Sequence, residues 1–385
     1  MLALLVAVAL AGFAAAALLS ASQVMAPAAW AHVAFAMGVM PLILGAIGYF
    51  VPVLTRSGAP PPPVRLLPVL AVAAGAFLVA ALAWPGRLGH SIIAAAALAL
   101  MAACCMLGWI VRRGRAALGA PHPGLRWYLA AMVLLAAALL AVIAMELWPQ
   151  QRAALRLFHL HLNVLGFVGI TAIGTLQVLL PTAAARPDPG VALRLRRDLP
   201  LAAAGALLVA AGAAWFKPLS YAGLILYLVP PVRMAAAWLA HFRGALLQSH
   251  GAAPSLSLAL LGLVLLLLAG GAHGFGLQPG RDAILGFILA FLLPLVSGAA
   301  TQLLPVWLRP GVQTAWHAAT RARLGRWSAP RAALMVAGGV LATSGVEAGL
   351  WGGVAGLALF IMAAASLPFL RCAAPEERTK IERRP

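Results

Sequence analysis

The sequence predicts an all-α polytopic membrane protein, with about twelve transmembrane helices in three pseudo-repeats of four. Three observations predict it. Hydrophobic residues make up 64% of the 385 and charged residues 9%, with a mean hydropathy of +0.99, far above what a water-facing surface tolerates. Apolar runs long enough to cross a hydrocarbon layer of about 30 Å fall at 2–25, 29–54, 65–84, 88–112, 127–148, 156–182, 199–216, 219–241, 254–275, 283–308, 330–347 and 349–371. A marked stretch recurs along the chain with a period of about 125 residues.

That stretch can be laid on one ruler. Gly45, Gly174 and Gly298 each stand seven residues before a proline, Pro52, Pro181 and Pro305. A second proline lies four before the glycine in two copies, Pro41 and Pro294, where the middle copy has Ile170. Histidine lies thirteen before the glycine in two copies, His32 and His161, and the third has Leu285. The marked segments are helices two, six and ten, which divides a single membrane domain, 1–385, into repeats of about 1–115, 126–243 and 254–371.

Taken in order, the first run has no Lys or Arg in front of it and completes the first group of four, so it reads as a retained helix rather than a cleaved leader. The Pro60–Pro63 run is a stiff linker. Twenty-seven Lys and Arg against eight acids give a net charge of +19, and their placement carries the information. Arg56, Arg65, Arg112, Arg113, Arg115, Arg126, Arg186, Arg194, Arg196, Arg197, Arg243, Arg309, Arg321, Arg323 and Arg326 fall in loops after even-numbered helices. Only Arg87, Arg152, Arg156, Lys217 and Arg281 follow odd-numbered ones. The positive-inside rule then puts the even loops and both termini in the cytoplasm of a bacterial inner membrane. The basic charge serves topology and contact with anionic lipid, not nucleic acid. Cys104 and Cys105 lie within helix four and Cys372 in the polar tail 372–385, which leaves neither a disulfide framework nor a CxxC metal motif.

Topology sorts the nine histidines. His32, His159, His161, His90 and His273 gather at the outer ends of helices, where an imidazole in an apolar bundle needs a hydrogen-bond partner, a proton or a metal. These five are the candidate metal ligands, set against the plainer reading that they bond neighbouring helices. His159 and His161 are about 200° apart on a helix, so only one should face the bundle centre. His161 is favoured, because His32 shares its place in the repeat. His122, His250 and His317 belong to loops and His241 to a helix end, where solvated or interfacial roles suffice.

Gly38, Gly45 and Pro52 fall every seven residues on one helix face, suited to close packing or to a flat macrocycle lying against it. Prolines within these helices free carbonyls, and Thr171, Thr175, Gln177, Thr301 and Gln302 are placed to satisfy them. Glu146 and Glu347 lie at outer helix ends, where Arg152, Arg156 and Arg281 are candidate partners. Structural pairing is favoured there over proton transfer, and the arginines also suit haem propionates.

Twelve helices in three groups of four, with outer histidines on helices two and six and the stretch HLHLNVLGFVGITAIGTLQVLLP, resemble the haem–copper oxidase subunit I superfamily. Within it the chain is most similar to the short, divergent NnrS-like members, which contain haem and copper and are linked to nitric oxide stress. The resemblance implies an axial haem ligand at His32 and a copper ligand at His161, with haem b and copper as cofactors and a redox protein as partner beside the lipid bilayer. The departures matter: residues 283–308 and 199–216 contain no histidine, so the second haem ligand and the histidine pair of an oxidase copper centre are absent. The expectation is a haem- or copper-binding membrane protein of nitrogen-oxide or respiratory redox metabolism, not a proton-pumping terminal oxidase. A permease or metal-handling protein, and a non-catalytic assembly partner of a respiratory complex, are the alternatives on the same scaffold.

Overall fold

Each apolar run becomes a helix, because a chain in hydrocarbon must satisfy its backbone N–H and C=O groups internally. The computed structural model describes residues 1–89, 91–277 and 282–367. The long helices are α1 (Leu2–Ser22), α2 (Pro27–Thr55), α3 (Pro62–Ala83), α4 (Ser91–Arg115), α5 (Gly124–Leu147), α6 (Pro149–Ala183), α7 (Val191–Ala214), α8 (Lys217–Leu246), α9 (Ala252–Gly274), α10 (Ala283–Leu308), α11 (Ser328–Thr343) and α12 (Ala348–Ala365). No strand occurs among the described residues. The chain is thus an all-α, multi-pass protein of the lipid bilayer.

Eleven of these helices are long and apolar enough to cross a membrane. The exception is α11, whose 16 residues span about 24 Å at 1.5 Å per residue. It stops short of the expected 330–347 because Gly345 adopts φ +80°, a left-handed turn that ends the helix. Several starts are fixed by proline: Pro27 and Pro62 stand in the first turns of α2 and α3, and Pro149 opens the 3₁₀ turn that leads into α6, positions where a missing N–H costs nothing. His90, Arg281 and the tail 368–385 lie outside the described residues.

The three marked helices share a local distortion that periodicity did not disclose. Val33–Val39 in α2, Leu162–Gly169 in α6 and Ile288–Leu292 in α10 are π-helical, and each ends five or six residues before its glycine. Proline is not the common cause, since α6 carries Ile170 where α2 and α10 carry Pro41 and Pro294. In α6 the Leu165 carbonyl accepts from the Ile170 N–H and from the buried Tyr227 hydroxyl of α8 at 2.8 Å. Such π segments widen the ladder and are frequent at functional sites.

Packing repeats as well. Each marked helix packs on the first helix of its own group and on the first of the next: α2 on α1 and α5, α6 on α5 and α9, α10 on α9 and α1. The contacts close a ring. Outside it, α3, α7 and α11 cover α2, α6 and α10, and α4, α8 and α12 cover those in turn. The glycines mark the crossings within each group. A Cβ on Gly45 would lie 2.6 Å from Leu5 Cδ1, on Gly174 2.6 Å from Trp127 Cβ, and on Gly298 3.0 Å from Leu256 Cδ2. Helix packing therefore occupies the glycine face and leaves no slot for a macrocycle there.

The freed carbonyls fare differently from expectation. Thr175 and Thr301 hydroxyls donate to Thr171 O at 2.7 Å and Ser297 O at 2.8 Å within their own helices. Gln177 is fully buried with neither amide atom hydrogen-bonded, and the buried Thr171 hydroxyl also lacks a partner.

Candidate functional site: the histidine end of the bundle

Opposite the arginine-rich loops, His32 ends the first turns of α2, and His159 and His161 end the first straight part of α6. A π segment begins at the next residue after His32 and after His161. Each of the three rings is fixed by a carbonyl. Nδ1 faces Ala28 O at 2.6 Å in His32, Ala138 O of α5 at 2.8 Å in His159, and Leu157 O at 2.8 Å in His161. A ring nitrogen against a carbonyl must carry the proton, so all three neutral imidazoles donate from Nδ1 and keep the Nε2 lone pair. That is how ligating histidines are oriented.

The rings of His32 and His159 face one another, with centroids 6.3 Å apart and planes inclined by 19°. Asn163 Nδ2 donates to His159 O at 3.0 Å and, at 3.4 Å, also reaches the Nε2 lone pair of that ring. From the third group, Phe287 of α10 meets Phe35 of α2, ring centroids 6.1 Å apart. Among the described residues no cluster of three or more His, Cys, Asp or Glu side chains is arranged to hold a metal.

His161 faces elsewhere. It lines a cavity of about 580 Å³ enclosed by α6 to α10, with His273, Tyr221 and Lys217 among largely aliphatic walls, within the roughly 300–1,000 Å³ of small-molecule and cofactor sites. Tyr221 donates to Gly274 O at 2.8 Å. The ring the structure brings to His32 is thus that of His159, not of His161 as the repeat implied. Equal spacing from the glycine fixed the height of the two histidines, but which face turns toward α2 was decided by where α5 and α7 sit against α6. A step of two residues exchanges those faces.

The remaining polar groups make local contacts or face the surface. Glu146 pairs with Arg152 at 2.7 Å on the surface, and Glu347 is exposed at the start of α12. His122 and His250 accept from the Gly124 and Trp327 N–H groups at 3.1 and 2.9 Å, His317 caps the short helix Ala315–Leu324, and His241 donates to Ala237 O at 2.9 Å. Two acids escaped the sequence reading. Asp198, buried in α7, accepts from Arg233 of α8 at 3.0 Å, and Asp188 pairs with Arg194. Arg233 lies inside an apolar run, which was the available signal, because an arginine there needs a carboxylate and the chain has only eight acids.

Fold and site together define a multi-pass helical membrane protein with paired imidazoles at one end of the bundle and an apolar cavity beside them. No protein-family model and no curated protein matches the sequence.

Proposed function

We propose that the chain is a haem- or copper-binding integral membrane protein, related to the NnrS-like branch of the haem–copper oxidase subunit I superfamily, that acts in nitrogen-oxide or respiratory redox metabolism. The observation that carries this reading is the His32–His159 pair, two parallel imidazoles at 6.3 Å whose Nδ1 atoms are both committed to carbonyls. Two imidazole nitrogens would suit a copper ion or a haem iron. They do not fit a three-histidine copper centre, which argues against a proton-pumping terminal oxidase. A bound redox metal would supply one-electron chemistry. The chain's own part is to present Nε2 of His32 and His159, hold the rings through Ala28 and Ala138, and exclude water with apolar walls. His161 lines the neighbouring cavity with Nδ1 committed to Leu157 O, a place for a second prosthetic group.

The recurrence of the π segment and the closed ring of contacts support three pseudo-repeats of four helices, with the short α11 as the twelfth. The arginine distribution supports cytoplasmic N- and C-termini in a bacterial inner membrane. The second reading, a permease or metal-handling protein, is favoured by the cavity, whose aliphatic walls and few polar groups would also suit a passing ligand.

Oxidised and reduced visible spectra with metal analysis, on protein from haem-replete and copper-replete cells, test the proposal. A Soret band or stoichiometric copper is expected, lost in His32→Ala and His159→Ala. Loss confined to His161→Ala would move the site to the cavity. A colourless, metal-free preparation would remove the redox reading and leave the permease.

A further inference from the structure

The arginine-rich end of the third group holds a second built feature, independent of the metal reading. Between the short helix Ala315–Leu324, α11 and α12 lies a pocket of about 490 Å³ with three guanidiniums, Arg323, Arg326 and Arg331, on one side. Leu334, Leu359 and Met362 line the other. These three apolar side chains are exposed at 43%, 42% and 59%, the exposure of a strip that faces lipid.

Among the described residues the guanidiniums have no counter-ion. The ion pairs among the described residues join Arg152 to Glu146, Arg194 to Asp188 and Arg233 to Asp198, and none reaches this pocket. Arg331 is only 3% exposed. It uses a single N–H, from Nη2 to Leu324 O at 2.8 Å, and rests its guanidinium 5.2 Å over the Phe360 ring. The Arg323 Nε is buried with no partner. A guanidinium offers five N–H donors in a fork that matches phosphate oxygens, and burying one without an anion is costly. The site therefore has the polar half of an anion receptor and, joined to it, an aliphatic strip running along two helices toward the bilayer centre. A free inorganic anion would use only the first half.

We propose that this pocket binds one anionic phospholipid, its phosphate held by Arg323, Arg326 and Arg331 and an acyl chain laid along Leu334, Leu359 and Met362. A basic pocket between helices at the cytoplasmic level is the geometry that phosphate-bearing headgroups recognise. The bidentate fork distinguishes it from the diffuse attraction of the other arginine-rich loops.

Native mass spectrometry of the purified full-length chain, titrated with phosphatidylglycerol and with phosphatidylcholine, tests the proposal. The wild-type chain is expected to retain one phosphatidylglycerol in clear preference to phosphatidylcholine. Arg323→Gln with Arg326→Gln should weaken retention by roughly fivefold per guanidinium removed, from the worth of a basic side chain near a charged lipid surface. The charge-matched control, Arg112→Gln with Arg113→Gln at the end of α4, should retain the lipid as the wild type does, and both double variants must elute as folded chains. Equal loss in the control would reduce the effect to net charge and overturn the site. Release of the lipid by millimolar inorganic phosphate would make it a free-anion site. A large gain in lipid binding on replacing Glu376, Glu377 and Glu382 with Gln would assign the arginines to the tail instead.

Discussion

Gly174→Ala is the sharpest test of how the bundle is held together. The added Cβ would stand 2.6 Å from Trp127 Cβ, 2.8 Å from Cγ and 3.0 Å from Cδ2, whereas carbon atoms rest at about 3.5–4.0 Å. One helix must move by roughly the 1 Å difference. Trp127 cannot turn aside, because it is fully buried and its Nε1 donates to Leu195 O of α7 at 2.9 Å. Overpacking of this kind costs about 1–3 kcal/mol, and straining the indole hydrogen bond adds up to about 1 kcal/mol. The better helix propensity of alanine returns about 1 kcal/mol, so the net expectation is a destabilisation of up to about 3 kcal/mol, and of about 1–4 kcal/mol relative to a glycine with open space around it. Gly48→Ala in α2 is the control: no atom lies within 4 Å of its Cβ position, so only the propensity term remains and stability should hold or rise slightly. Equilibrium unfolding in mixed micelles, followed by far-UV circular dichroism, reads both variants. Equal stability of Gly174→Ala and Gly48→Ala would refute the claim that the glycine exists for the α5–α6 crossing.

Three further outcomes follow from single side chains. Tyr227→Phe removes the hydroxyl from Leu165 O in the π segment of α6 and should cost about 0.6–1.7 kcal/mol, the range for hydrogen bonds between membrane helices. Hydrogen exchange should increase across 162–169 and leave the equivalent segment of α2 unchanged. Gln177→Met replaces a buried amide that has no partner with an apolar chain of similar length and should raise stability by about 1 kcal/mol or more. Loss of stability instead would reveal a bound water or ligand at the amide. Burial holds the pKa of His122 below its ordinary value, so the unfolded chain takes up the proton first and the contribution to stability is lost as pH falls below the usual imidazole range. Protonation also ends acceptance from the Gly124 N–H, so exchange of that amide should quicken on acidification, and His122→Asn should flatten the dependence.

By itself the sequence determined the class of protein and the positions of its helices. Nine per cent charge and runs of apolar residues leave the backbone no alternative to helices in a bilayer, and eleven long helices lie where the runs do. The repeat was legible because glycine and proline punctuate it, and the glycines are the crossing points of α1 with α2, α5 with α6 and α9 with α10. That His32 and His159 lie level was legible too, since helix direction follows from counting. What only the tertiary structure decided is the azimuth. Whether His159 or His161 meets His32 depends on how far α6 is rotated against α5 and α7, and a π segment, whose extra residue per turn shifts the phase of a helix, leaves no trace in apolar periodicity. The same reason hid Asp198 and Arg233: Asp198 follows three arginines at the start of α7 and Arg233 stands alone in the middle of α8, and only the packing of the two helices brings them within 3.0 Å. Periodicity fixes which residues share a helix. The rotation of each helix is set by side chains on its neighbours, which no single segment encodes.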